Sequence, residues 1–188
     1  MSRSLVGLRD ATLADVEQLA ELWQPFLRKG TDALHDLVST IEQLVDRPGE
    51  RLVVAEFDGG FAGAVFLRAT TYSPVNPEPV LQAHNLAVVD AHRKRGVGKA
   101  LMECAVTWAE ELGVGHLATA TSSGSREANR FMARLALGPQ AMLRMAATPA
   151  VRSRLAGRTP GGRQVTQVLA VRRSLRHARS MSRTASGG

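Results

Sequence analysis

Apolar residues fall at Val16, Leu19, Trp23 and Phe26, and again at Leu34, Leu37, Ile41 and Leu44. Steps of three and four place each set on one side of a helix, so two helices are expected before residue 48. Thr12 precedes the first, with Asp15 three residues on, a carboxylate form of the capping box. Ahead of it "SLVGLR" (4–9) reads as a short strand. After "RPGE" the period changes to two: "RLVVAEF" and "FAGAVFLRAT" read as strands joined at "DGG", a hairpin signal. "TYSPVNPEP" carries three prolines and is expected to be a loop, outside any strand or helix interior. "VLQAHNLAVV" (80–89) is a largely apolar strand.

From Gly96 to Gly113 the helical period returns, with Val97, Leu101, Ala105, Trp108 and Leu112 as its buried stripe and Lys99–Glu103 as an exposed pair. "HLATAT" then reads as a strand, "SREANRFMARLAL" as a helix, "AMLRMAA" as a strand, "PAVRSRLAG" as a short helix and "RQVTQVLAVRR" as a last strand. This order predicts one α/β domain over residues 1–173, built on a mixed sheet, with a basic flexible tail over 174–188.

Composition changes this picture in one respect. The net charge is +7, but residues 151–188 hold nine arginines and no acidic residue, so the first 150 residues sum to −2. The basic character belongs to the C-terminal end, where no Phe, Tyr or Trp is available for base stacking, and nucleic-acid binding is not the expected role. No apolar run approaches the roughly 18 residues of a membrane span, and the N-terminus lacks a signal-peptide core, so a cytoplasmic protein with no membrane partner is expected. Cys104 is the only cysteine, which rules out an internal disulfide framework and a multi-cysteine zinc site; no metal is expected. Deep in a helical pattern, it reads as a small packed hydrophobe.

The chemistry concentrates in "DAHRKRGVGKALM" (90–102). A strand, a glycine turn and a helix starting at the turn form an anion site, because the first helical N–H groups have no partners within the helix and the helix dipole is positive there. Arg93, Lys94, Arg95 and Lys99 add charge around Gly96 and Gly98, which suits a pyrophosphate. Two familiar phosphate loops fail. A Walker loop would need Gly at Arg93 and Ser or Thr at Ala100, and a dinucleotide fingerprint would need Gly at Leu101.

Arg93-x-x-Gly96-x-Gly98 after "NLAVVDAH" resembles instead the acyl-CoA motif of the Gcn5-related N-acetyltransferase (GNAT) superfamily, and the order of elements over roughly residues 5–147 matches it too. The resemblance implies a mostly antiparallel mixed sheet with helices on both faces, whose fourth and fifth strands splay to admit the pantetheine arm of acetyl-CoA. It implies that Leu86, Ala87, Val88 and Val89 hydrogen-bond that arm through their backbone. The N–H groups of Arg95, Gly96 and Gly98, with Val97 between, would hold the pyrophosphate, with Arg93, Lys94 and Lys99 nearby. Ser125, Asn129 and Met132 stand on the helix that resembles the family's second CoA-contacting helix.

The implied activity is direct acetyl transfer from acetyl-CoA to an amine, with an oxyanion-stabilising N–H near Val88. Gln82 stands where some members carry a glutamate base; His84, two residues on and on the same strand face, is the candidate base. A satisfied polar residue in the cleft wall is the alternative for His84, and Glu56 is a poorer candidate. The family's acidic tyrosine position holds Met132, and its asparagine position holds Ser125, which could equally cap the helix. Met132 cannot donate a proton, so it packs around the thioester or fills core. Tyr72, the only tyrosine, lines the acceptor side or is merely exposed; His92 is a loop residue near the phosphates. A catalytically impaired acyl-CoA-binding or regulatory domain is the competing reading. The acceptor is not legible, and a homodimer is possible through an apolar last strand.

Overall fold

The computed structural model describes residues 6–28, 30, 32–121 and 124–156. In chain order it contains β1 (Val6–Asp10), α1 (Val16–Trp23), α2 (Asp32–Gln43), β2 (Glu50–Phe57), β3 (Gly60–Ser73), β4 (Asn76–Val88), α3 (Val97–Glu111), β5 (His116–Thr119), α4 (Arg126–Arg134) and α5 (Thr148–Ala156). The five strands form one sheet in sequence order; the first three pairings are antiparallel and β4–β5 is parallel. This is the GNAT-like α/β arrangement expected.

Alternation along the strands divides the core into two layers. On one side Val53, Ala55, Val65, Leu67, Leu81 and Ala83 pack against Val97, Leu101, Ala105 and Trp108 of α3. On the other, Leu52, Val54 and Ala64 pack against Val16, Leu19 and Trp23 of α1 and Leu37 and Ile41 of α2. The start of α1 is tied down by charge. Arg9 of β1 donates two 2.7 Å bonds to the buried Asp15 carboxylate, which also accepts the Thr12 N–H at 2.8 Å. The other side of the same guanidinium reaches Glu56 of β2 at 2.7 Å.

Several expectations are corrected. The proline-rich stretch is not a loop: β3 runs to Ser73, Pro74-Val75 make the turn, and Pro77 and Pro79 lie within β4. Both precede Val80, the first β4 residue paired with β5, so one flank of the strand is open and a missing N–H is tolerated there. Phe26 is exposed because α1 stops at Trp23, just before Pro25, and the turn beyond carries Phe26 off the stripe. Leu34 and Leu112 also lie exposed, near the start of α2 and just past the end of α3.

The chain divides into two compact units, Met1–Gly138 and Pro139–Gly188. In the second, Thr148–Ala156 is helical as expected, but 141–147 form no strand and expose Met142, Leu143 and Met145. The strand expected over 163–173 lies outside the described residues, as does the tail over 174–188.

Candidate functional site

The site begins where β4 and β5 part. Their register runs Val80↔His116, Leu81↔Leu117, Gln82↔Ala118 and Ala83↔Thr119, and stops. Thr119 closes it, its hydroxyl donating to the Ala83 carbonyl at 2.8 Å. β4 continues for five residues, 84–88, with no strand on that flank among the described residues.

At the fork β4 also changes phase. Ala64↔Ala87 is followed by Phe66↔His84, so two β4 residues, Asn85 and Leu86, oppose the single Val65, and Asn85 sits at φ +52°. This bulge moves Leu86 and Val88 onto the α3 side with Leu81 and Ala83, while Ala87 joins the α1/α2 side. Val89 donates its N–H to the Ala62 carbonyl at 2.9 Å, and its own carbonyl accepts from His92 at 2.8 Å. Of residues 86–89, Val89 therefore has both backbone groups engaged within the fold, and the same ladder turns those of Ala87 toward Ala64 of β3. Alternation of an antiparallel ladder turns Val88 N–H and C=O away from β3, toward the open flank.

The glycine loop follows. Lys94 (φ +60°) and Gly96 (φ +89°) both adopt left-handed backbone, and Gly96 caps α3. The first α3 bond is donated by Ala100 to the Gly96 carbonyl at 2.9 Å. Among the described residues, the N–H groups of 94–99 have no acceptor. A run of such donors at a helix start, among basic side chains, fits a pyrophosphate. Val97 has its side chain in the core, so only its N–H can serve here. Arg95 stacks over Phe57 at 5.2 Å and His92 packs on the same ring at 5.4 Å, which anchors the loop to the end of β2. Lys99 pairs with Glu103 at 3.1 Å, and Lys94 is exposed.

Arg93 is bound to Asp90 at 2.8 Å and reaches Glu127, in the first turn of α4, at 3.6 Å. α4 thus lies beside the loop, and a Cβ on Gly98 would stand 3.6 Å from the Phe131 ring. Ser125 caps α4 by accepting from the Ala128 N–H at 3.3 Å; Asn129 donates to the Ser125 carbonyl at 2.7 Å and accepts from Thr121 at 3.2 Å. Met132 is buried.

His84 is half-buried at the fork, on the α1/α2 side. Its Nε2 lies 3.1 Å from Gln82 Oε1 and its ring 6.3 Å from Phe66. Burial holds its pKa below the ordinary imidazole value, the Arg68 guanidinium pushes it down further, and Glu50 opposes both. The imidazole is therefore neutral at pH 7 and able to take a proton. Glu56 is spent on Arg9, and Tyr72 is exposed. Burial pushes the Cys104 thiol up, consistent with its packing against the α3-side core. Among the described residues no group of three His, Cys, Asp or Glu could hold a metal ion, and no helix is long and apolar enough to cross a membrane.

Four residues shape the site that sequence reasoning did not single out. A Cβ on Gly63 would stand 2.6 Å from the Ala87 carbonyl oxygen, so glycine there sets how closely β3 supports the fork. Thr119 closes the fork, Phe57 carries the loop, and Arg68 acts on His84. The small residues of "FAGA" were a legible signal for Gly63; the other three carry none.

Known proteins share this fold. The family described as "Acetyltransferase (GNAT) family" matches residues 16–137. A transcriptional regulator from Bacillus halodurans superposes with a TM-score of 0.67 at 21% identity, over 76% of this chain and all of that one. An aminoglycoside N-acetyltransferase in complex with CoA gives 0.65 at 17% identity, over 77% and 95%. A predicted acetyltransferase with acetyl-CoA from Clostridium acetobutylicum gives 0.61 at 12%, over 78% and 98%. Among curated proteins, none matches significantly. With the family matched from α1 through the end of α4, across both the fork and the glycine loop, this chain belongs to the GNAT acetyltransferase family.

Proposed function

We propose that the protein is an N-acetyltransferase that moves an acetyl group from acetyl-CoA directly to an amine. The observation that carries this is the run of N–H groups over 94–99 that have no acceptor among the described residues, following a strand that parts from β5. Two of the solved structures named above were determined with CoA or acetyl-CoA, which supports the same donor here.

In this reading the N–H groups of 95, 96 and 98 hold the pyrophosphate, with Arg93, Lys94 and Lys99 beside it. The backbone of β4 at Leu86 and Val88 runs alongside the pantetheine arm in place of a paired strand. Ser125, Asn129 and Met132 face it from α4. The thioester supplies an activated acetyl group and a thiolate that leaves. His84 takes the proton that the amine must lose, and Gln82 orients its ring. The Val88 N–H stabilises the negative charge that develops on the acetyl oxygen. No side chain is needed to protonate the leaving thiolate, since a thiol titrating near about 8.5 departs readily as its anion.

The second reading is an acyl-CoA-binding domain without turnover. It is favoured by Met132, a buried thioether at the position of the family's acidic tyrosine.

Acetyl-CoA titrated calorimetrically into wild type and into a Gly96→Glu, Gly98→Glu variant tests the site. Micromolar binding is expected for wild type and none for the variant, with thermal melts confirming that both are folded. Turnover of any amine then excludes the binding-only reading, and absence of binding by folded wild type overturns the assignment altogether.

A further inference from the structure

The α1/α2 side of the sheet near the fork carries one row of polar residues. Glu50, Arg68 and Gln82 stand opposite one another across β2, β3 and β4. Phe66 and His84 form the adjacent pair. Arg68 lies two residues from Phe66, hence on its face, and its guanidinium stands 5.9 Å from the Phe66 ring, which His84 approaches at 6.3 Å. One aromatic ring is therefore flanked by the imidazole and the guanidinium.

The charges of this row do not cancel. The Glu50 carboxylate, 12% exposed, takes Arg68 Nε on one oxygen at 2.7 Å and Arg47 on the other at 3.3 Å, so two cations share one anion. Arg68 commits only Nε. Among the described residues, its two terminal nitrogens have no acceptor, on a side chain 46% exposed. A guanidinium held by one edge, with its other donors open, is arranged to receive a carboxylate through two parallel N–H bonds. The residual positive charge repels a polycation.

We infer that the acceptor is a small amine that carries a carboxylate, an amino acid or a short amino-carboxylate, with Arg68 as the residue that selects it. The inference rests on the transferase reading above, with the reacting nitrogen placed at His84. Two residues along a strand span about 7 Å, the scale of one amino acid with its side chain.

The experiment compares kcat/KM for matched acceptors in the full chain: an amino acid, its carboxamide, and a diamine of similar length. Wild type is expected to prefer the amino acid over its carboxamide by about tenfold or more, with the difference mainly in KM. Arg68→Gln is expected to bring that ratio close to one. Arg68→Lys retains part of it, and Glu50→Gln, which leaves Arg68 uncompensated, raises it. Thermal melts of each variant establish folding. Equal or better turnover of the carboxamide or diamine by wild type, or a preference that survives Arg68→Gln, overturns the inference and leaves the transferase reading intact. Acetyl-CoA binding without turnover of any of these three amines overturns the inference, and the transferase reading falls with it only if a broad panel of other amines is also left unacetylated.

Discussion

At the scale of single residues, the proposed base is one imidazole whose protonation is set by burial and by its neighbours. Burial and Arg68 lower the His84 pKa and Glu50 raises it. A base must be neutral to act, so kcat is expected to be full at neutral pH and to fall only as pH drops through the lowered value, below about 6.5. Arg68→Gln removes one cause of that depression and is expected to move the acidic limb toward higher pH. His84→Gln should reduce kcat by about a hundredfold and remove the limb. A kcat–pH profile of the three proteins checks all of this, and an unmoved limb in Arg68→Gln separates the titrating group from His84. The strand period placed His84 and Gln82 on one face, and the hydrogen bond between them bears that out. Arg68 was illegible because it gains its role only when β3 and β4 are set in register, and an exposed arginine on a strand has no local signature.

At the scale of elements, the fork and the glycine loop depend on backbone that particular residues permit. Gly96, at φ +89° with open space around it, would suffer from a side chain only through its conformation. Gly96→Ala is expected to destabilise the protein by about 1–2 kcal/mol. Gly98→Ala should be nearly neutral for stability, since its Cβ would sit in ordinary contact with Phe131 and Val88, yet it should weaken acetyl-CoA binding by standing over the N–H cradle. Gly63→Ala acts from behind. The 2.6 Å approach to the Ala87 carbonyl forces β4 to move, and a loss of about 1–3 kcal/mol with weaker binding is expected although residue 63 lies outside the cradle. Denaturant melts and calorimetry on the three variants distinguish these effects. The main elements were legible because their stripes are long and regular. Two segments misled for opposite reasons. Prolines mark a loop only where a strand would need their N–H, and at Pro77 and Pro79 the open flank does not. Alternation in "AMLRMAA" states which side chains would share a face, but a strand also needs a partner to pair with.

At the scale of the whole molecule, stability and charge reside in different parts of the chain. Arg9 joins Asp15 at the start of α1 to Glu56 in β2, and its guanidinium, with the Thr12 hydrogen bonds, holds the Asp15 carboxyl below the usual carboxylate range. That pair contributes stability that is present above the unfolded carboxylate pKa and is lost as pH falls through the lower folded value. With Arg9 partly in solvent, Asp15→Asn is expected to lose about 1–2 kcal/mol at pH 7, with the difference from wild type narrowing in acid; urea melts across pH read it directly. The charge lies at the other end. Residues 174–188 contain three arginines and no acidic residue, so ending the chain at 173 lowers the net charge from +7 to +4. Every proposed site residue stands between Arg68 and Met132, and among the described residues both hydrophobic clusters end by Leu137. If the tail is only solvated, a chain ending at 173 should keep the melting temperature and the acetyl-CoA Kd of the full protein at low and at high salt. A Kd that weakens on truncation only at low salt would mean that the tail draws in the polyanionic nucleotide by charge alone. A lowered melting temperature would move the domain boundary beyond residue 173.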